Sequence, residues 1–247
     1  MAVGQDAAQP IDAPIRISDT SLHNDSEPCT KHKHKVKQGC HAKQHSSCMQ
    51  GKGHLGPDVV WTEASKFARN ITFDPDTAHP FCELSKDRKS VKVGAAWQNL
   101  PDMSERFDKR LCVLGRERLS FGRHYWEVAV GNAKNWDIGV CDTFANRKGF
   151  FQPTTDNRYW VLGLDNGVKF KDFSSPSSTP MVPTKPPDVI GVFLDCEAGN
   201  VSFYNVGDAS KFLTLHPRPV PCIFQPYFCI GDQETTLQLR PLTKRIC

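Results

Sequence analysis

Residues 122–141 read GRHYWEVAVGNAKNWDIGVC, and their alternation decides the fold class. His124, Trp126, Val128 and Val130 fall on one side of an extended backbone, and Tyr125, Glu127 and Ala129 on the other. Side chains alternate faces along a strand, so the run predicts a half-buried β-strand with a large aromatic pointing inward. Gly131-Asn132-Ala133-Lys134-Asn135 breaks the pattern with turn formers. A second run then places Trp136, Ile138 and Val140 on one face and Asp137, Gly139 and Cys141 on the other. The spacing predicts an antiparallel hairpin with Trp126 and Trp136 as core anchors.

Outward from this stretch the chain reads as strands. Ile71 and Phe73 lead into the turn DPDTAHP at 74–80. Short apolar runs follow at Cys82–Leu84, Val91–Val93, Leu111–Leu114, Tyr159–Leu164, Val189–Leu194, Asn200–Asn205, Tyr227–Ile230 and Thr236–Leu239. Gly, Pro, Asn and Asp separate them, which predicts an all-β sandwich or barrel. The proline- and serine-rich stretch from Phe170 to Asp188 reads as a surface loop. Before the strands, Val60, Ala64, Phe67 and Ala68 make an apolar stripe, so 58–69 reads as a short amphipathic helix started by Pro57 and Asp58. A helix that short is marginal alone and must dock on the strand-rich domain C-terminal to it.

Residues 1–57 form a separate, polar segment expected to be disordered, since they show no apolar period that could offset chain entropy. From Cys29 to His54 they carry six lysines and no acid. Three readings apply: a solvated basic tail, weak contact with nucleic acid or an acidic surface, and metal capture by Cys40, His41, His45 and Cys48. The cysteine spacing fits no paired zinc template, so no metal or cofactor is expected.

The 247 residues are 38% apolar with a net charge of +4, and the mean hydropathy is −0.47. No apolar run approaches the about 20 residues that cross a bilayer. The N-terminus lacks the basic and apolar regions of a secretory signal. The ten cysteines are therefore expected to be reduced thiols in the cytoplasm, or the nucleus. Several, including Cys112, Cys141, Cys196 and Cys229, sit in apolar strand patterns as small buried hydrophobes.

Three ordered motifs resemble the PRY-SPRY domain of tripartite-motif, ret-finger-protein-like and butyrophilin proteins. Phe73-Asp74-Pro75 is similar to the family's Leu-Asp-Pro. Trp126-Glu127-Val128 is its Trp-Glu-Val. Leu194-Asp195-Cys196-Glu197 is similar to its Leu-Asp-Tyr-Glu, with Cys196 in place of tyrosine. The resemblance implies a curved sandwich of two antiparallel sheets, a concanavalin-like jelly roll, over about 70–243. PRY would cover about 70–121 and SPRY about 122–243. It implies no catalysis, and recognition of a protein partner through loops at one end of the sandwich. Residues 1–57 lack the eight paired ligands of a RING, so the resemblance suggests an adaptor or a RING-less relative of ubiquitin ligases. Two alternatives are a substrate-recognition subunit of a ligase complex and a phosphometabolite sensor of butyrophilin type.

In an antibody-binding relative the acid of the Trp-Asp-Ile-Gly type motif contacts the partner, which makes Asp137 a candidate hydrogen-bond acceptor in a groove. Such relatives carry tryptophans where this chain has Gly163 and Asp165. Trp160 reads as core or contact. Phe170 and Phe173, at the start of the Pro/Ser loop, are candidate anchors, as are Tyr227, Phe228 and Asp232 near the last strands. Glu127 and Glu197 are read as structural acids, with Arg123 a candidate partner. No triad spacing surrounds His79, His124 or His216. Oligomeric state is not legible.

Overall fold

The computed structural model describes residues 63–174, 186–217 and 222–241. Twelve strands among them form two antiparallel sheets. One sheet has seven strands. It contains β1 (Cys82–Leu84), β2 (Ser90–Val93), β4 (Arg123–Ala129), β8 (Val189–Asp195), β9 (Asn200–Asn205), β10 (Lys211–Leu215) and β12 (Thr236–Leu239). Their spatial order is β1-β2-β12-β4-β8-β9-β10. The other contains β3 (Cys112–Leu114), β5 (Trp136–Asp142), β6 (Tyr159–Asp165), β7 (Lys169–Lys171) and β11 (Phe224–Ile230), in the order β3-β11-β5-β6-β7. No helix of the described residues is long and apolar enough to cross a membrane.

The inward rows of both sheets meet in one core. Trp126, Val128, Ile190, Val192, Leu194 and Phe203 come from the larger sheet, and Trp136, Ile138, Val140, Leu162 and Phe228 from the smaller. Both tryptophans are anchors, as their period-2 placement predicts. The hairpin is a correction. β4 pairs with β8 and β12, whereas β5 pairs with β6 and β11. Residues 131–135 therefore carry the chain from one sheet to the other. Their backbone groups bond outward: Gly131 N–H donates to Asp188 O, Gly167 N–H to Lys134 O, and Gly231 N–H to Asn135 O. Two strands that both aim a tryptophan at one core satisfy the same alternation from opposite sheets, so alternation cannot choose between hairpin and crossover.

β4 is also buried on both faces rather than one. Tyr125 is fully buried and Glu127 nearly so. Residues 63–65 are helical, and after them Ala68 bridges Tyr125 as a parallel partner. Phe67 leans on Phe193, with ring centroids 6.1 Å apart, and lies under Arg123. Residues 66–69 of the expected helix pass through a turn and a bridge instead, because the chain there docks on β4; residues 58–62, and the basic tail with its nucleic-acid and metal readings, lie outside the described residues. Two short strands, β7 and β10, add to the runs expected from the sequence. β7 takes the first residues of the stretch expected to be loop; residues 175–185 lie outside the described residues.

The three motifs are structural. Phe73 packs edge-on to Phe228 at 5.0 Å, and Asp74 Oδ1 accepts the Asp76 N–H to form the following turn. Asp195 Oδ1 accepts the N–H groups of Glu197 and Ala198, and its Oδ2 accepts from Arg123 Nε at 2.9 Å. Arg123 therefore serves Asp195 and not Glu127. Glu127 instead meets Arg240 at 3.3 Å and accepts from the Tyr125 hydroxyl.

Candidate functional site: a groove on the outer face of the smaller sheet

Residues on the outer face of the five-stranded sheet align across every strand. Cys112, Cys229, Asp137, Gly163 and Lys171 are successive register partners from β3 to β7. One half of this face is roofed by aromatic rings. Tyr227 stands edge-on to Tyr159 at 5.0 Å, and Phe151 stacks on Tyr159 at 5.1 Å. Phe107 closes the cluster. The other half stays open as a groove of about 350 Å³, floored by Asp137, Gly163 and Cys229 and walled by Arg110, Lys171 and Phe173. That volume lies at the small end of ligand-binding clefts.

Asp137 emerges on the face opposite Trp136 and Ile138, as alternation requires. Arg110 Nη2 donates to its Oδ2 at 2.7 Å, and both side chains are mostly buried. Burial lifts the Asp137 carboxyl above its ordinary pKa, while Arg110 and then Lys171 oppose that shift. The same guanidinium donates to the Phe151 carbonyl at 2.7 Å and lies 5.3 Å from the Phe151 ring centre. Arg110 is thus held by a carboxylate, a carbonyl and a ring face. At the other wall Lys171 pairs with Asp165 at 2.7 Å, more openly to solvent.

Gly163 makes room for this arrangement. A Cβ there would lie 2.5 Å from Asp137 Oδ1 and 2.7 Å from Phe173 Cε2. Phe173 has a left-handed backbone, φ +50°, that lays its ring over the glycine. Asp232 stands at the groove end, where Asn135 Nδ2 donates to it at 2.9 Å and its other oxygen accepts from Thr235.

Asp137, Gly163, Asp165 and Phe173 therefore converge on one groove, with Asp232 beside it. Four other expected contact residues do not. Phe170 is 1% exposed and packs on Trp136 and Phe212, because its strand position points it into the core. Phe228 faces the same core, and Tyr227 lies under the aromatic roof; both are fully buried. Trp160 is 4% exposed, edge-on to Phe224. Phe170, Tyr227 and Phe228 are covered, and Trp160 edges a separate cleft beside Thr214 and His216. Sequence reasoning missed Arg110 and Lys171. Arg110 lies two residues before Cys112, so its parity with the outer row was a readable signal. Among the described residues no cluster of three or more His, Cys, Asp or Glu is placed to hold a metal ion.

Comparison with known sequences and structures agrees with this architecture. The SPRY domain profile matches residues 123–240, and that of the SPRY-associated domain, PRY, matches 71–119. Human butyrophilin subfamily 1 member A1 is 42% identical over 193 residues, covering 78% of this chain and 35% of that protein. Human E3 ubiquitin-protein ligase TRIM58 is 43% identical over 178 residues, covering 72% of this chain and 36% of that protein. The chain thus spans little more than a third of the relatives' length. The TRIM65 PSpry domain superposes with a TM-score of 0.64 at 20% identity, over 81% of this chain and all of that one. The stonustoxin structure gives 0.60 at 28% identity, over 70% of this chain and 29% of that one. Two adjoining profiles, relatives above 40% identity and the two-sheet topology lead to one conclusion: the chain belongs to the PRY-SPRY family of tripartite-motif and butyrophilin proteins.

Proposed function

We propose that this chain is a non-catalytic recognition module that grips a protein partner in the groove over Asp137. The observation that carries this reading is the convergence of Asp137, Arg110, Lys171 and Asp165 around exposed backbone at Gly231 and a half-buried Phe173. Polar groups held in place beside an aromatic edge favour a peptide segment, because they arrive already ordered and lose little entropy on binding. Acid–base chemistry finds no support here. Asp137 is tied to Arg110, and among the described residues no second carboxylate or imidazole is bonded to it.

The similarity to a ubiquitin ligase of the tripartite-motif group supports a finer role, as an adaptor or as the substrate-selecting part of a ligase assembly. A phosphorylated small ligand fits less well. The two cations of the groove wall, Arg110 and Lys171, already face Asp137 and Asp165, which would repel phosphate. Cytoplasmic residence and weak acidic-surface contact by the basic tail belong to the same proposal.

The test is proximity labelling and pull-down with the full chain against Phe173→Ala combined with Asp165→Ala. Asp165 is an exposed pair member and Phe173 only edges the outer aromatic cluster, so the fold is expected to survive, and circular dichroism of the double variant checks it. A partner retained equally by the double variant would exclude this groove.

A further inference from the structure

Cys112 on β3 and Cys229 on β11 are direct register partners. The ladder bonds on either side run from Ile230 N–H to Leu111 O and from Gly115 N–H to Pro226 O. By that alternation Cys112–Cys229 is a non-hydrogen-bonded antiparallel pair, in which Cα atoms lie about 4.5 Å apart and side chains approach most closely. This separation falls within the about 4.4–6.8 Å that a disulfide spans.

The surroundings of the two sulfurs differ. Cys229 lines the groove floor, and Arg110 Nη2 stands 3.6 Å from its Sγ. Cys112 lies behind it, fully buried, with its Sγ 3.0 Å from the Tyr227 hydroxyl. A hydrogen bond from Cys112, with Arg110 adding to it against burial, holds the Cys229 thiol below its ordinary pKa. Burial raises the Cys112 thiol well above its own. A cation beside one thiol on the groove floor, 6% exposed, and a second thiol in bonding range are the parts of an attacking and a resolving cysteine.

We propose that Cys229 and Cys112 form a reversible redox site that a hydroperoxide oxidises from the groove side. The Cys229 thiolate attacks a peroxide oxygen, the O–O bond breaks, and hydroxide leaves as Cys229 becomes a sulfenic acid. The Cys112 sulfur then displaces the hydroxyl: the S–S bond forms, the S–O bond breaks, and the Cys112 proton leaves with the hydroxyl as water. With hydrogen peroxide the balance is two thiols and one peroxide to one disulfide and two waters. The site rests on strand register and on Arg110, independently of what the groove binds.

The test treats the reduced full chain with hydrogen peroxide and maps it without reduction. Trypsin releases Leu111–Arg116 with Cys112 as its one cysteine, whereas Cys222 and Cys229 share a peptide, so fragment ions must place the bond. The expected result is a dithiothreitol-sensitive link from Cys112 to Cys229, with Cys229 oxidising at least about tenfold faster than Cys141, a buried cysteine of the same face. Cys112→Ser is expected to leave a sulfenic acid at Cys229 that dimedone traps, and Cys112→Ala provides the same readout should serine disturb the fold. Cys229 reacting no faster than Cys141, or peroxide linking other cysteines while this pair stays reduced, would overturn the proposal.

Discussion

Asp137 and Arg110 depend on each other because both are mostly shielded from water. Removing one charge strands the other, a loss of about 3 kcal/mol in comparable buried pairs. Urea denaturation of Asp137→Ala is therefore expected to show a loss near that size. Asp165→Ala breaks a pair that is about two-fifths exposed and is expected to cost under about 1 kcal/mol. If the two variants unfold alike, Arg110 is not held as the geometry indicates. Gly163→Ala would push a methyl into Asp137 and Phe173. We expect a loss of about 1–3 kcal/mol and a groove disturbed at both residues, visible as lower partner capture than wild type. At this scale Asp137 was legible, since a period of two puts it opposite Trp136. Phe170 was misread because its stretch looked like loop, and a loop aromatic reads as exposed. Its true direction depends on a three-residue strand that forms only against β6.

The turn between β8 and β9 shows how one acid supports two elements. Asp195 accepts two turn N–H groups through one oxygen and Arg123 through the other, while Gly199 completes the turn at φ +62°. Asp195→Ala should lower the urea midpoint by the equivalent of about 1–3 kcal/mol. Asp195→Asn, which keeps the turn acceptor, should recover part of that; equal losses would mean the turn bonds contribute nothing. Strand existence was largely readable from alternation, but strand partners were not. The β4–β5 connection reads as a hairpin because turn formers link two alternating runs, and only pairing with β8 and β11 separates them into two sheets. The β6–β7 hairpin carried an overlooked signal. Asn166-Gly167 takes positive φ at both residues and closes with Val168 N–H donating to Asp165 O, the turn that this dipeptide favours. β10 was harder to see. Its pairing with β9 shifts register between Lys211 and Leu213, which disturbs a period-2 pattern.

Over the whole molecule, two buried imidazoles tie stability to pH. His124 accepts from Arg69 at Nδ1 and meets the Phe121 carbonyl through Nε2; His79 lies against Phe81 and Trp97. Burial depresses both below the ordinary value of 6.5. The unfolded chain therefore takes up protons near pH 6.5 that the folded chain refuses. Their contribution is complete above that pH and is lost as pH falls through the folded values. Urea midpoints should drop between about pH 7 and pH 5.5, and a midpoint flat across that window would contradict it. The sandwich closes by pairing β12 with β2 and β4, and β11 with β3 and β5. Such distant partners make refolding slow, in about milliseconds to seconds by tryptophan fluorescence; a microsecond phase carrying the full signal would not fit this topology.

The amino-acid sequence by itself determined the all-β class, the inward tryptophans and the outward acid. Each follows from alternation and turn chemistry within a few residues. Tertiary structure alone decided which strands pair, that Arg110 reaches Asp137, that Tyr227 and Phe228 are covered, and that Cys112 faces Cys229. Those outcomes depend on residues far apart in the chain, and local periodicity carries no information about which distant strand supplies the neighbour.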